Sequence, residues 1–296
     1  MRVRIATARA IRWPIALALS LAAAFGDAQS GDTIKDNWGK VTSENITFAG
    51  EGGATIAGVV YVPQLKPRAG VVIVHGSDAD TRIDGLAHVF ATYGIEALTY
   101  DKRGHGQSSG LLPGQYNVSP ENLELLASDA ASALRVLAAR AELQKVATGY
   151  WGISQAGWIA PEAAAKTPEC DFLALWSAVA MRVSDELEDG LAQGENQDQA
   201  AAIRAFIGEL RSSGVDPDPA KWIAALKIPN LWIFGTEDKV IPVPLALKEL
   251  NGLIESGDQN ITIRMNQGGG HDLNLEQNRR AFESMVEWIL AQRDAG

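Results

Sequence analysis

From residue 69 onward, short unbroken apolar runs alternate with longer stretches in which apolar positions recur every three or four residues. The runs AGVVIVHG, YGIEALTYD, KVATGYWG, DFLALWS, IPNLWIFG and QNITIRMN are short and rich in apolar residues and read as strands buried on both faces. The stretches between them read as helices. Ser119-Pro120 opens one, with serine at the cap and proline in the first turn, and Leu123, Leu126, Ala130, Leu134 and Leu137 form its stripe. The last helix carries Phe282, Met285, Val286 and Ile289 on one face. Residues 43–62 differ: two alternating runs flank Glu51-Gly52-Gly53, which predicts a hairpin. Together these patterns predict an α/β domain whose mostly parallel sheet is led by an antiparallel hairpin, with helices on both faces.

The rhythm breaks once. Residues 178–227 hold helical patterns but no strand, far longer than a usual connection of ~2–6 residues. A small helical cap inserted in the domain is expected there. At the other extreme, residues 1–28 follow a different template: Arg2, Arg4, Arg9 and Arg12 without an acid, then the apolar run PIALALSLAAAF, then small residues before Gln29. That order predicts a secretory signal peptide, an exported (periplasmic or extracellular) product, and a domain over 29–296.

Composition narrows the partners. The formal charge is −10, and removing residues 1–28, with four arginines and one aspartate, leaves −13. Such a surface disfavours nucleic acid and anionic membranes. The body of the chain has no apolar span of 20 residues, so the mature form is not expected to insert stably in a bilayer. The single cysteine, Cys170, cannot form an intramolecular disulfide and reads as a small buried hydrophobe. Four scattered histidines and one cysteine suggest no metal cluster, and no cofactor is expected.

Two serines compete for attention. GQSSG, residues 106–110, matches G-x-S-x-G, whereas GISQAG, residues 152–157, carries Ala156 at the second glycine position. The motif requires a strand, a sharp turn and a helix. Ser108 lies in a loop followed by LLPGQYNVSP, which cannot open a helix. Ser154 follows the apolar strand KVATGYW and precedes the helix-forming QAGWIAPEAAAK. A serine nucleophile needs a base and an acid that orients it. His271, in the glycine-rich MNQGGGHDL after the last strand, and Asp238, after LWIFGTE, both fall at carboxyl ends of parallel strands, as does Ser154. Glu237 and Asp272 are the other acids within reach. His75 and His88 read as structural, while His105 could line a pocket beside the site, and Trp176 could line an acyl pocket.

The hairpin start, the HG after the third strand, DKRGHGQS, the GISQAGW elbow, GTEDKVIP and GGGHD together make residues 43–292 resemble the α/β-hydrolases. Within them the nearest likeness is the bacterial esterase and serine-aminopeptidase-like branch. The resemblance implies a serine hydrolase with Ser154 as nucleophile, His271 as base and Asp238 as acid, and an oxyanion hole formed by the backbone N–H groups of Ser77 and Gln155. The expected substrate is a small-molecule carboxylic ester, with a peptidase or amidase acting on short peptides as the alternative. A non-catalytic binding protein on the same scaffold would need no such constellation.

Overall fold

The computed structural model describes residues 33–77 and 81–292. The proposed leader therefore lies outside the described residues. Eight strands form one sheet: β1 (Thr42–Ala49), β2 (Thr55–Val62), β3 (Ala69–Val74), β4 (Ile95–Tyr100), β5 (Thr148–Ser154), β6 (Phe172–Ala178), β7 (Asn230–Gly235) and β8 (Ile261–Asn266). Their spatial order is β1-β2-β4-β3-β5-β6-β7-β8. β1, β2 and β4 pair antiparallel, and every other neighbouring pair is parallel. The β1–β2 turn passes through Gly52 and Gly53 at φ 65° and 79°, a region side chains disfavour, which explains the paired glycines.

The helices are α1 (Thr33–Asn37), α2 (Asp84–Thr92), α3 (Pro120–Ala138), α4 (Ala156–Ala165), α5 (Val183–Ala192), α6 (Ala200–Ser213), α7 (Ala220–Ala225), α8 (Val243–Glu255) and α9 (Leu275–Ala291). Successive strand residues feed opposite core layers, as the pleat requires. On β3, Val72 and Val74 enter the layer that holds α3, α4, α8 and the helices between β6 and β7, while Val71 and Ile73 enter the layer beneath α2 and α9. With both faces covered, β3 to β7 are buried at every position; β8, expected to be buried on both faces, lies instead at the sheet edge and leaves Thr262 and Met265 exposed. The insertion between β6 and β7 consists of α5, α6 and α7, and Ile203, Phe206, Ile207 and Leu210 fasten α6 to the core. Among the described residues, no helix is long and apolar enough to cross a membrane.

One local expectation is modified. Ser119 does stand at the N-cap of α3, before Pro120, but its hydroxyl does not cap the helix. It accepts instead from Tyr116 N at 3.0 Å, and the Asn122 side chain bonds both Gly114 and Tyr116. These bonds tie down the approach loop to α3.

Candidate active site

β5 runs into α4 with a single residue, Gln155, between Ser154 and the first helical position. Ser154 is held at φ 57°, left-handed backbone that costs a non-glycine residue about 1–3 kcal/mol and marks a position fixed by its surroundings. The neighbours show how this tight corner fits. A methyl group on Gly152 would lie 2.5 Å from the Ala156 Cβ, so glycine at 152 makes room for alanine at 156. A methyl on Gly157 would lie 1.9 Å from the Val179 carbonyl oxygen, so α4 starts in backbone contact with the end of β6. Gly76 faces the corner from β3, and a Cβ there would come within 3.1 Å of Ser154 Cβ and 3.6 Å of its Oγ. The peptide linking Gly76 to Ser77 thus passes directly beside the hydroxyl.

Ser108 has a different setting. It lies in the loop between β4 and α3, where its hydroxyl donates to Asp101 O at 2.7 Å and accepts from Ala57 N at 2.9 Å. Both bonds anchor the loop to β2 and β4. Asp101 gathers the rest of that loop by accepting from Arg82 and from Gln107 N, and a side chain at Gly106 would collide with its carboxylate.

At the carboxyl end of β7, Asp238 meets His271 from the loop after β8. The His271 Nδ1 to Asp238 Oδ2 distance is 3.1 Å, the carboxylate is fully buried and the imidazole is 7% exposed. Asp238 Oδ1 accepts from Val240 N and Ile241 N at 2.9 and 3.0 Å, which fixes the carboxylate plane. Burial pushes the Asp238 carboxyl up, but the hydrogen bond and charge of His271 and the two N–H groups outweigh it and hold the group below the usual carboxylate range. An ionised carboxylate only accepts, so Nδ1 carries the hydrogen, and in the neutral imidazole Nε2 is the nitrogen left as acceptor. The two loops are stitched together: Glu237 N donates to Gly269 O at 2.8 Å, and Gly268 N to Thr236 Oγ1 at 2.9 Å. Gly235 and Gly269 are in such contact that a Cβ on Gly235 would sit 2.2 Å from Gly269 O.

Of the three candidate acids, Asp238 alone is hydrogen-bonded to His271 among the described residues. The Glu237 side chain is exposed. Asp272 is partly buried with Oδ1 unpaired, and burial holds its carboxyl above the usual range despite the His271 charge. Ser77 and Gln155 lie on either side of the Ser154 corner, Gln155 as the N-cap of α4, where the first N–H groups of a helix have no acceptor within it.

Trp176 is not where an acyl-pocket wall was expected. It is 1% exposed and belongs to the core layer beneath α2 and α9, with Trp151, Ala174, Ile233 and Leu273. It supports the sheet from the side away from the cap helices. His105 is half-buried in the β4–α3 loop, where its backbone donates to Lys102 O and accepts from Ser108 N. His75 bonds Tyr100 O through Nε2, and His88 stacks on Trp38 at 3.9 Å. Burial drives the Cys170 thiol well above its ordinary range, as an unreactive core thiol requires. The sequence reading missed Lys102, which the fold inserts beneath the Ser154 corner, 4% exposed.

A sheet of this order, with a serine in strained backbone at the end of its central strand and an Asp–His pair at the same edge, limits the possible families sharply. The chain has the α/β-hydrolase fold. The family model described as serine aminopeptidase, S33, matches residues 65–209, a stretch that includes Ser154 and ends before Asp238 and His271. Among curated relatives, a monoacylglycerol lipase of Mycolicibacterium smegmatis is 37% identical over 70 residues, covering 23% of this chain and 25% of the relative. A thiohydrolase of Aspergillus aculeatus is 33% identical over 125 residues, covering 42% and 37%. The matched stretches thus span between a quarter and somewhat over a third of these relatives. An esterase of Pyrococcus furiosus superposes with a TM-score of 0.66 at 16% identity, over 90% of this hydrolase-fold chain and 96% of that one. A cold-adapted esterase from an Arctic intertidal metagenomic library gives 0.56 at 18% identity, over 86% and 94%. At these identities the likeness is one of fold.

Proposed function

We propose that this protein is a serine hydrolase that cleaves carboxylic esters through an acyl-enzyme. The Asp238–His271 pair at the same sheet edge as the strained Ser154 is the observation that carries this reading. His271 Nε2 takes the Ser154 proton as Oγ forms a bond to the substrate's carbonyl carbon. The tetrahedral intermediate collapses, its bond to the alcohol oxygen breaks, and the alcohol leaves with the proton that His271 returns. Water then repeats the sequence on the acyl-enzyme, with His271 again accepting and returning a proton, and the acid and free Ser154 are released. Asp238 holds the imidazole tautomer and stabilises the imidazolium in both halves. The backbone N–H groups of Ser77 and Gln155 receive the oxyanion, each such donor contributing on the order of 3 kcal/mol.

The esterase, lipase and thiohydrolase names among similar proteins favour acyl transfer to water from an oxygen or sulfur leaving group, while the matching family model favours an aminopeptidase. A panel of p-nitrophenyl esters of two to twelve carbons, acyl thioesters and aminoacyl-anilides separates them. Turnover of the esters that disappears in Ser154→Ala supports the reading; anilide turnover alone replaces it with the peptidase. We propose export as well, on residues 1–28. The intact mass of protein recovered outside the cytoplasm should begin near Gln29, and recovery with Met1 retained would refute that part.

A further inference from the structure

The loop after β4 delivers a cation to the underside of the Ser154 corner. Lys102 Nζ donates to Gly76 O at 2.6 Å and to Gln155 Oε1 at 3.0 Å, in a setting where the side chain is 4% exposed. The orientation of the Gln155 amide is fixed from its other end, since Nε2 donates to Asn117 O at 3.1 Å and leaves Oε1 for Lys102. A buried ammonium is costly unless its hydrogens are used, and this one spends two of them on the segments that flank Ser154.

Those two acceptors are not arbitrary. Gly76 O belongs to the same peptide unit as Ser77 N–H, and Gln155 contributes the side chain here and its own backbone N–H at the start of α4. When a charged donor binds an amide oxygen, the amide is polarised and its N–H becomes a stronger donor, by roughly 10–30% per bond in a cooperative chain. The 2.6 Å contact is short, as charge-assisted bonds are. One side chain therefore sets the spacing of the two segments and strengthens the N–H that one of them presents.

We propose that Lys102 is a positioning residue for the oxyanion hole, its ammonium clamping the Gly76–Ser77 peptide to the Gln155 side chain. This rests on the reading of Ser154, Ser77 and Gln155 given above. Lys102 does not touch the substrate; it acts through the two donors. Its effect belongs to the transition state, where the oxyanion forms, and so to kcat rather than KM.

The test is Lys102→Met in the full chain, with p-nitrophenyl butyrate as substrate and a trifluoromethyl ketone of matching acyl length as the tetrahedral analogue. We expect kcat to fall between about 10- and 100-fold, less than the ~100- to 1,000-fold loss of a donor itself. KM should stay within threefold, and affinity for the ketone should fall by the same factor as kcat. A kcat within threefold of wild type, or a loss confined to KM, would overturn the proposal. If Lys102→Met does not fold, Gln155→Met removes the second acceptor while leaving the ammonium on Gly76 O; a three- to tenfold loss in kcat at constant KM supports the clamp, and unchanged kcat overturns it. Wild-type turnover and Ser154 labelling by a fluorophosphonate are measured alongside. If the wild type does neither, the reading of the site falls; if it does both and the variants keep their kcat, only the role of Lys102 falls.

Discussion

Gly157→Ala and Gly252→Ala add the same methyl group to two helices, and the structure sets their consequences in opposite directions. At Gly252, within α8, the new Cβ meets nothing within 4 Å, so only helix propensity changes and the variant should gain about 0.5–1 kcal/mol. At Gly157 the Cβ would stand 1.9 Å from Val179 O and 2.7 Å from Val179 N. Ordinary contact begins near 3.4 Å, so the backbones must separate by about 1.5 Å. Val179 is pinned, since its N donates to Ser154 O at 3.1 Å and its side chain is buried. The movement therefore falls on the elbow. Overpacking of this kind costs about 1–3 kcal/mol net, and a reacting group misplaced by an ångström loses roughly 100-fold in rate. Urea unfolding followed by tryptophan fluorescence should show the Gly157→Ala midpoint lowered by roughly 0.5–1 M, at a slope of ~2–3 kcal/mol/M. The folded variant should lose roughly 100-fold in kcat on p-nitrophenyl butyrate. A Gly157→Ala protein with wild-type midpoint and rate would mean that α4 and the end of β6 are not in backbone contact.

Three further outcomes are expected. Asp129→Ala strips the partner from Arg103, which is 4% exposed and bonded to both Asp129 oxygens at 2.6–2.7 Å; it should cost about 3–5 kcal/mol in denaturant unfolding, most of it recovered in Arg103→Met/Asp129→Leu. Asp238→Asn should lower kcat by roughly ten thousand-fold, because the amide favours the wrong imidazole tautomer. Because the folded carboxyl of Asp238 lies below its unfolded value of about 3.9, its contribution to stability is complete above that value and is lost as pH falls through the lower folded one; the wild-type advantage over Asp238→Asn should shrink only in that acid window. Glu186 is the reverse case: burial, with Glu195 and Asp189 adding to it, holds its carboxyl well above the ordinary range, and Oε2 has no partner. The folded state keeps a proton that the unfolded state releases near pH ~4.3, so stability falls as pH rises from there; Glu186→Gln, compared by thermal melts at pH 4 and 7, should gain on wild type with rising pH, and a constant gap would refute the assignment.

The strands were legible because parallel strands covered on both sides need apolar residues throughout, as in Ala69–Val74 and Phe172–Ala178, and few other structures have that requirement. The same saturation hid the facing of Trp176. All seven residues of β6 are buried, so no alternation remained to show which layer the indole enters. Ser154 could be separated from Ser108 because a strand–turn–helix context is local in sequence. Asp238 and His271 were legible as strand-end residues, but the choice of Asp238 over Glu237 depended on which carboxylate the loop between Gly235 and Val240 turns inward. Lys102 sits in DKRGHGQS, one of the stretches that carry the resemblance, but nothing there showed what its side chain binds. Gly76 and Gln155, two residues it bonds, lie 26 and 53 residues away, and a lysine in a polar loop reads as solvated until the fold brings β3, β4 and β5 together.

The central claim is that Ser154 is the nucleophile. Incubation of the wild-type protein with a tagged fluorophosphonate, followed by proteolysis and mass spectrometry, tests it directly. The adduct is expected on Ser154, in step with loss of ester turnover, and should be absent from Ser154→Ala, whose residual kcat should be about a millionfold below wild type. An adduct on Ser108, or ester turnover that survives full modification of Ser154, would contradict it.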